Sequence, residues 1–139
     1  MPQLKQFLEK FPHSRYRPEH RLLTWHPRGI LDKEMADAVL LVLETDEILS
    51  SIPFNRYVDL SHFTEIHLKM DHLFQIADRR RVAGETVRSA FYAKSIVGQT
   101  VARMYEGLMA GAIVQVRAFD SQDAAAEWLK VPAGILCPE

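Results

Sequence analysis

Apolar positions along the chain alternate between short β-rich runs and longer runs with helical spacing. The first β-rich run is Arg21-Leu22-Leu23-Thr24-Trp25, stopped by Pro27 and Gly29. A long helical stretch follows, from about Asp32 to Ser50. Asp32 is placed to cap it, Glu34 and Asp37 suit the positive end of the helix dipole, and Pro53 stands just past its end. Its centre, Ala38-Val39-Leu40-Leu41-Val42-Leu43, is apolar nearly all round, which predicts burial of most of its girth.

The second run is Arg56-Tyr57-Val58-Asp59-Leu60. Ser61 or Thr64 can then cap a helix in which Ile66, Met70, Leu73, Phe74 and Ala77 share one face, ending in Asp78-Arg79-Arg80-Arg81 before Gly84. The third run is Thr86 to Tyr92. Ser95 is placed to cap the next helix, whose Val97, Val101, Met104 and Leu108 form a stripe and which Gly111 stops. Gly98, in its first turn, permits close approach of another backbone or of a ligand. The fourth run is Ile113 to Phe119. Asp120 or Ser121 caps a last helix that buries Ala125, Trp128 and Leu129, and a short tail fills 132–139.

Four β-α units joined by short turns imply parallel pairing through right-handed crossovers. The expected fold is an α/β domain over residues 20–131, with a mostly parallel sheet of four or five strands packed with helices. The arm at 1–19 is expected to hold a short helix, from the spacing of Leu4, Phe7, Leu8 and Phe11. A basic, irregular stretch from Pro12 to His20 follows, broken by Pro18. The helix either docks on its own domain or serves a partner or dimer contact.

Composition narrows the function. The chain has 139 residues, 47% hydrophobic and 25% charged, with a net charge of −1. That is the size of one domain with its own core, and it excludes disorder. The near-zero charge argues against nucleic acid as a partner. One cysteine, Cys137, excludes an internal disulfide and fits a reducing cytoplasm. No apolar run reaches the roughly 20 residues of a transmembrane segment. The opening MPQLKQFLEKF lacks the apolar core of a signal peptide.

Several segments carry a family resemblance. Arg28-Gly29-Ile30-Leu31-Asp32 leads into a long helix, followed by Val58-Asp59-Leu60-Ser61 and Ile66. Later come Ala102-Arg103-Met104, Val116-Arg117-Ala118-Phe119 and Ala125-Ala126-Glu127-Trp128-Leu129. Together, over about residues 20–130, they resemble the STAS domain superfamily, and within it the SpoIIAA-like group of small bacterial proteins. Lipid-binding α/β sandwiches of the CRAL-TRIO type share much of the pattern. The resemblance implies a regulatory module that works by protein contact. It also implies a phosphorylatable Asp-Ser-Ser-Gly run at a helix start, but His67, Leu68, Lys69 and Met70 stand there instead. The phosphoserine switch is therefore not carried over.

Ligands of open parallel sheets bind beyond the carboxyl ends of the strands. That geometry selects His26, Arg28, Asp59, Ser61, His62, Lys94 and Ser95 as the ligand-binding set, with Asp120 and Ser121 beside them. It offers a base, hydroxyls and cations to an anionic ligand. The competing reading makes Asp59, Ser61, Ser95, Asp120 and Ser121 helix caps. No metal is expected: His62, His67 and His72 are spaced by five, about 140° per step on a helix, whereas zinc helices present ligands at i and i+4. No cofactor is expected either. Lys94-Ser95 lacks a glycine-rich loop, and no nucleophile elbow occurs.

The Arg79-Arg80-Arg81 cluster is either a solvated helix end or a phosphate or acidic-partner site. An acidic helix at 32–50 and a basic arm suggest intramolecular docking or self-association. The leading expectation is a non-enzymatic binding or regulatory module with a protein partner. The alternative is a carrier of a small apolar or anionic ligand, with Phe63, Met70, Phe74, Phe91, Tyr92 and Met104 lining a cleft. A third reading, an enzyme, needs His26 or His62 as general base.

Overall fold

The computed structural model describes residues 5–49, 53–81 and 86–138, the side chains of 43 and 45–49 excepted. In chain order the elements are α1 (Lys5–Lys10), β1 (Ser14–Arg17), β2 (Leu22–Trp25), β3 (Gly29–Leu31), α2 (Lys33–Leu49), β4 (Asn55–Asp59), β5 (Phe63–Ile66), α3 (Met70–Arg81), β6 (Arg88–Tyr92), α4 (Ile96–Leu108), β7 (Gln115–Phe119) and α5 (Gln122–Leu129). Single 3-10 turns cover Leu60–His62 and Ala133–Leu136. The main sheet has five strands in the order β1-β2-β4-β6-β7. β2, β4, β6 and β7 run parallel, while β1 pairs antiparallel with β2. The architecture is α/β with a mixed sheet.

Caps fix three helices where their side-chain oxygens stand. Asp32 Oδ1 accepts from the Met35 N–H at 2.9 Å, Ser95 Oγ from Gly98 at 3.0 Å, and Ser121 Oγ from Ala124 at 3.2 Å. Residue 50, the expected end of α2, and Gly84 lie outside the described residues.

Three segments depart from the sequence expectation, one of them β3, where the sequence marks Gly29 only as a strand stop. Residues 61–66 are not helix. Asp59 caps the 60–62 turn, after which Phe63-Thr64-Glu65-Ile66 extends and pairs in parallel with β3. Thr64 Oγ1 donates to the Gly29 carbonyl rather than capping a helix. The aromatic and β-branched residues of that run suit extended backbone, and β3 completes its hydrogen bonds. The stretch from Pro12 to His20 contains β1, which adds an antiparallel edge strand through a hairpin whose Arg21 has φ +48°.

The helix faces match the expected stripes in part, Leu73 and Ala77 among them. With Ile66 in a strand, α3 buries Leu73, Ile76, Ala77 and Arg80, while Met70 and Phe74 are exposed. α4 buries Gly98 and Ala102 rather than Val97, because Gly98 brings the helix against the sheet. A Cβ on Gly98 would stand 2.7 Å from Ala93 Cβ. Leu41 is exposed on α2, and Trp128 is half-buried, its ring 5.6 Å from that of Phe119.

Alternating β2 residues feed two cores. Leu22 joins Tyr57, Ala90 and Tyr92 under α5 and the 133–136 turn. Leu23 and Trp25 join Phe7, Phe11, Val42 and Phe54 under α1 and α2. Phe7 and Phe11 both lie against the Trp25 ring, whose Nε1 donates to the Pro12 carbonyl at 3.2 Å. The helix of the arm is thus docked on its own domain.

Candidate functional site

The parallel registers align Trp25 with Val58, Asp59 with Tyr92, and Tyr92 with Phe119, so β2, β4, β6 and β7 end on one edge. Their exits form a rim. Pro27, which has no N–H, follows His26 just past the end of β2, and Asp59 closes β4. Asp59 is extended, and its Oδ1 accepts from the Ser61 N–H at 2.9 Å. That bond shapes the 60–62 turn, which folds His62 back over the carboxylate.

Two imidazoles therefore meet one oxygen. His26 Nδ1 lies 3.0 Å and His62 Nε2 3.3 Å from Asp59 Oδ2. His26 and Asp59 are buried, whereas the His62 side chain is 31% exposed. Burial alone raises the Asp59 carboxyl, but hydrogen bonds from His26 and Ser61, with the His26 charge, outweigh it and hold the group below the usual carboxylate range. The His26 ring stands edge-on to Tyr57 at 5.9 Å, and Tyr57 stacks on Tyr92 at 6.4 Å. Gln122 Nε2 donates to the Tyr57 hydroxyl at 3.2 Å. Burial raises both phenols; Asp59 adds to the effect on each, and the Gln122 hydrogen bond opposes it at Tyr57.

The other expected site residues divide. Ser61 Oγ accepts from the Lys94 backbone N–H at 3.1 Å, tying the turn to the exit of β6. Ser95 and Ser121 cap α4 and α5. The Lys94 side chain is exposed, and exposed Asp120 sits 4.0 Å from Arg103. Exposed Arg28 lies on the flank of the rim, and a cleft of about 240 Å³ runs from it along β1, lined by His13, Arg15, Arg17, His26 and Cys137. None of the described side chains lining this cleft is acidic. The place of His13, Arg15 and Arg17 is not legible in the sequence because the arm reads as irregular; the basic run Arg15-Tyr16-Arg17 is their one sequence signal.

The remaining candidates lie apart from this cluster. Arg79 forks onto the Glu44 carboxylate, and Arg81 donates to the Leu108 and Ala110 carbonyls at the end of α4. His72 lies 3.2 Å from Asp37 and His67 3.7 Å from Glu65, both apart from the rim. Phe63 and Phe91 line an apolar cavity of about 170 Å³ between the sheet and α2, α3 and α4. Tyr92 packs in the core on the α5 side instead.

Fold and site together define an α/β domain whose strand-end edge carries a His-Asp-His cluster beside a cationic cleft. No family model matches the chain, and no curated protein or solved structure matches it. No helix among the described residues is long and apolar enough to cross a membrane.

Proposed function

We propose that the chain is a non-enzymatic binding module of the STAS/SpoIIAA-like kind that takes a small anionic ligand in the cleft along β1, beside its strand-end rim. The observation that carries this reading is the cleft walled by Arg15, Arg17, Arg28, His13 and His26, in a chain whose net charge is −1. Cations gathered in a concave site focus potential on an anion, and guanidinium forks suit carboxylate and phosphate. Calorimetric titration with inorganic phosphate and with succinate at low ionic strength tests it. Saturable binding of either is expected, weakened about tenfold or more by Arg28→Gln, the scale of one hydrogen bond to a charged group. Absence of binding by both probes, or indifference to R28Q, refutes the reading.

A protein-contact reading is favoured by a different observation. Ile96 is 81% and Val97 58% exposed in the first turn of α4, directly after the rim residues Lys94 and Ser95. Exposed aliphatic side chains at such a place suit a second copy of the chain or a regulatory partner. Light scattering across a concentration series checks self-association. A mass rising with concentration and abolished by Ile96→Asp supports it, and a constant monomer mass removes the second copy.

A further inference from the structure

We propose that His26, Asp59 and His62 form a binding site for a divalent first-row transition ion, with zinc as its reference occupant. The inference goes beyond the anion-binding reading and does not depend on it. His62 pairs not with the histidines five residues on but with His26, which reaches it from the neighbouring strand.

The donor geometry is the first argument. His26 Nδ1 and His62 Nε2 converge on Asp59 Oδ2 at 3.0 Å and 3.3 Å, and the ligand atoms of the three residues all lie within 4.8 Å of one another. Zinc bonds of about 2.0–2.1 Å in a tetrahedron imply ligand separations of roughly 3.3–3.4 Å. Two sides of the triangle already lie close to that spacing, and a turn of the His62 ring adjusts the third.

Preorganisation is the second. Asp59 is 2% and His26 5% exposed, so neither has to be ordered on binding. The Ser61 N–H holds Asp59 Oδ1, which orients the carboxylate and leaves Oδ2 as a single-atom donor. Outer hydrogen bonds of this kind fix the direction of a ligand. His62, partly exposed at the end of the 60–62 turn, leaves an entry path.

Donor chemistry selects the ion. Two imidazoles and one carboxylate suit zinc or ferrous iron, whereas calcium and magnesium want oxygen ligands. Three protein ligands leave a coordination position for water or an anion. The competing arrangement is a metal-free network in which each imidazole donates an N–H to Oδ2.

The test uses the purified chain stripped of metal with a chelator. Calorimetry with Zn²⁺ should give one ion per chain, and Co²⁺ should develop visible d–d absorption. His62→Ala removes the most exposed ligand and spares the buried pair. It should weaken Zn²⁺ binding at least 10–100-fold, since loss of outer-shell partners alone costs about that much. A thermal melt of both forms shows whether the variant is folded, and Zn²⁺ should raise the midpoint of the parent chain alone. Binding by H62A with unchanged affinity, or no saturable binding and no visible Co²⁺ spectrum in the parent chain, overturns the site. Loss of phosphate and succinate binding in R28Q with Zn²⁺ binding intact separates this outcome from that of the anion cleft.

Discussion

The His26 imidazole and the Asp59 carboxylate, 33 residues apart in the chain, are joined by a 3.0 Å hydrogen bond where β2 and β4 leave the sheet. Removing the buried carboxylate strands the His26 ring nitrogen paired with it. Asp59→Ala also deletes the acceptor for the Ser61 N–H, and so the anchor of the 60–62 turn. The variant should lose about 1–3 kcal/mol of stability, measured by urea unfolding. A loss below about 1 kcal/mol would show that the pair is solvated and weak.

Alkaline pH should unfold the protein through Tyr57. Its phenol is fully buried and held well above its ordinary value, chiefly by burial, with Asp59 and Tyr92 adding to the effect. The unfolded chain releases that proton near pH 10, while the folded chain retains it. Stability is therefore complete below pH 10 and declines as pH rises above it towards the folded value. Ultraviolet titration should show Tyr57 ionising together with loss of structure, and Tyr57→Phe should flatten the decline. Ionisation of all four tyrosines with the fold intact would refute this.

Gly98→Ala sets helix propensity against packing. Alanine is intrinsically better in a helix by about 1 kcal/mol. Here its Cβ would meet Ala93 Cβ at 2.7 Å and Ser95 Oγ at 3.0 Å, and Ala93 is fixed at the exit of β6. Overpacking of about 1–3 kcal/mol should prevail, so the melting temperature should fall. A rise would mean that α4 shifts outward freely.

Truncation of the arm's anchor tests whether α1 belongs to the core. Phe7 is 2% exposed, and its ring centre lies 4.8 Å from that of Phe11 and 5.4 Å from that of Trp25. Phe7→Ala should cost about 3–5 kcal/mol in chemical unfolding. A near-neutral change would mark α1 as an appendage.

What the sequence conveyed was local. Asp32, Ser95 and Ser121 act on N–H groups three residues away, so their capping roles are visible in a short window. The runs around Leu22, Val58, Ala90 and Val116 are dense enough in apolar and β-branched residues to mark strands. β3 and β5 are short, and each gains its hydrogen bonds only from the other, more than 30 residues away. β1 carries two arginines and sits beside Pro18, features that suit an edge strand but resemble a loop. The His-Asp-His cluster was hidden for the same reason. His26 and Asp59 both read as rim residues, but no spacing rule places their side chains on one oxygen, and the even interval from His62 to His72 points along the chain rather than across the sheet.

The apolar space beneath α2, α3 and α4 bears on how the molecule responds to compression. It amounts to about 170 Å³ and is partly open to solvent. The volume decrease on unfolding, about 20–100 mL/mol in proteins, scales with such poorly filled space without equalling it. Hydrostatic pressure should therefore denature this domain more readily than a well-filled one of its length.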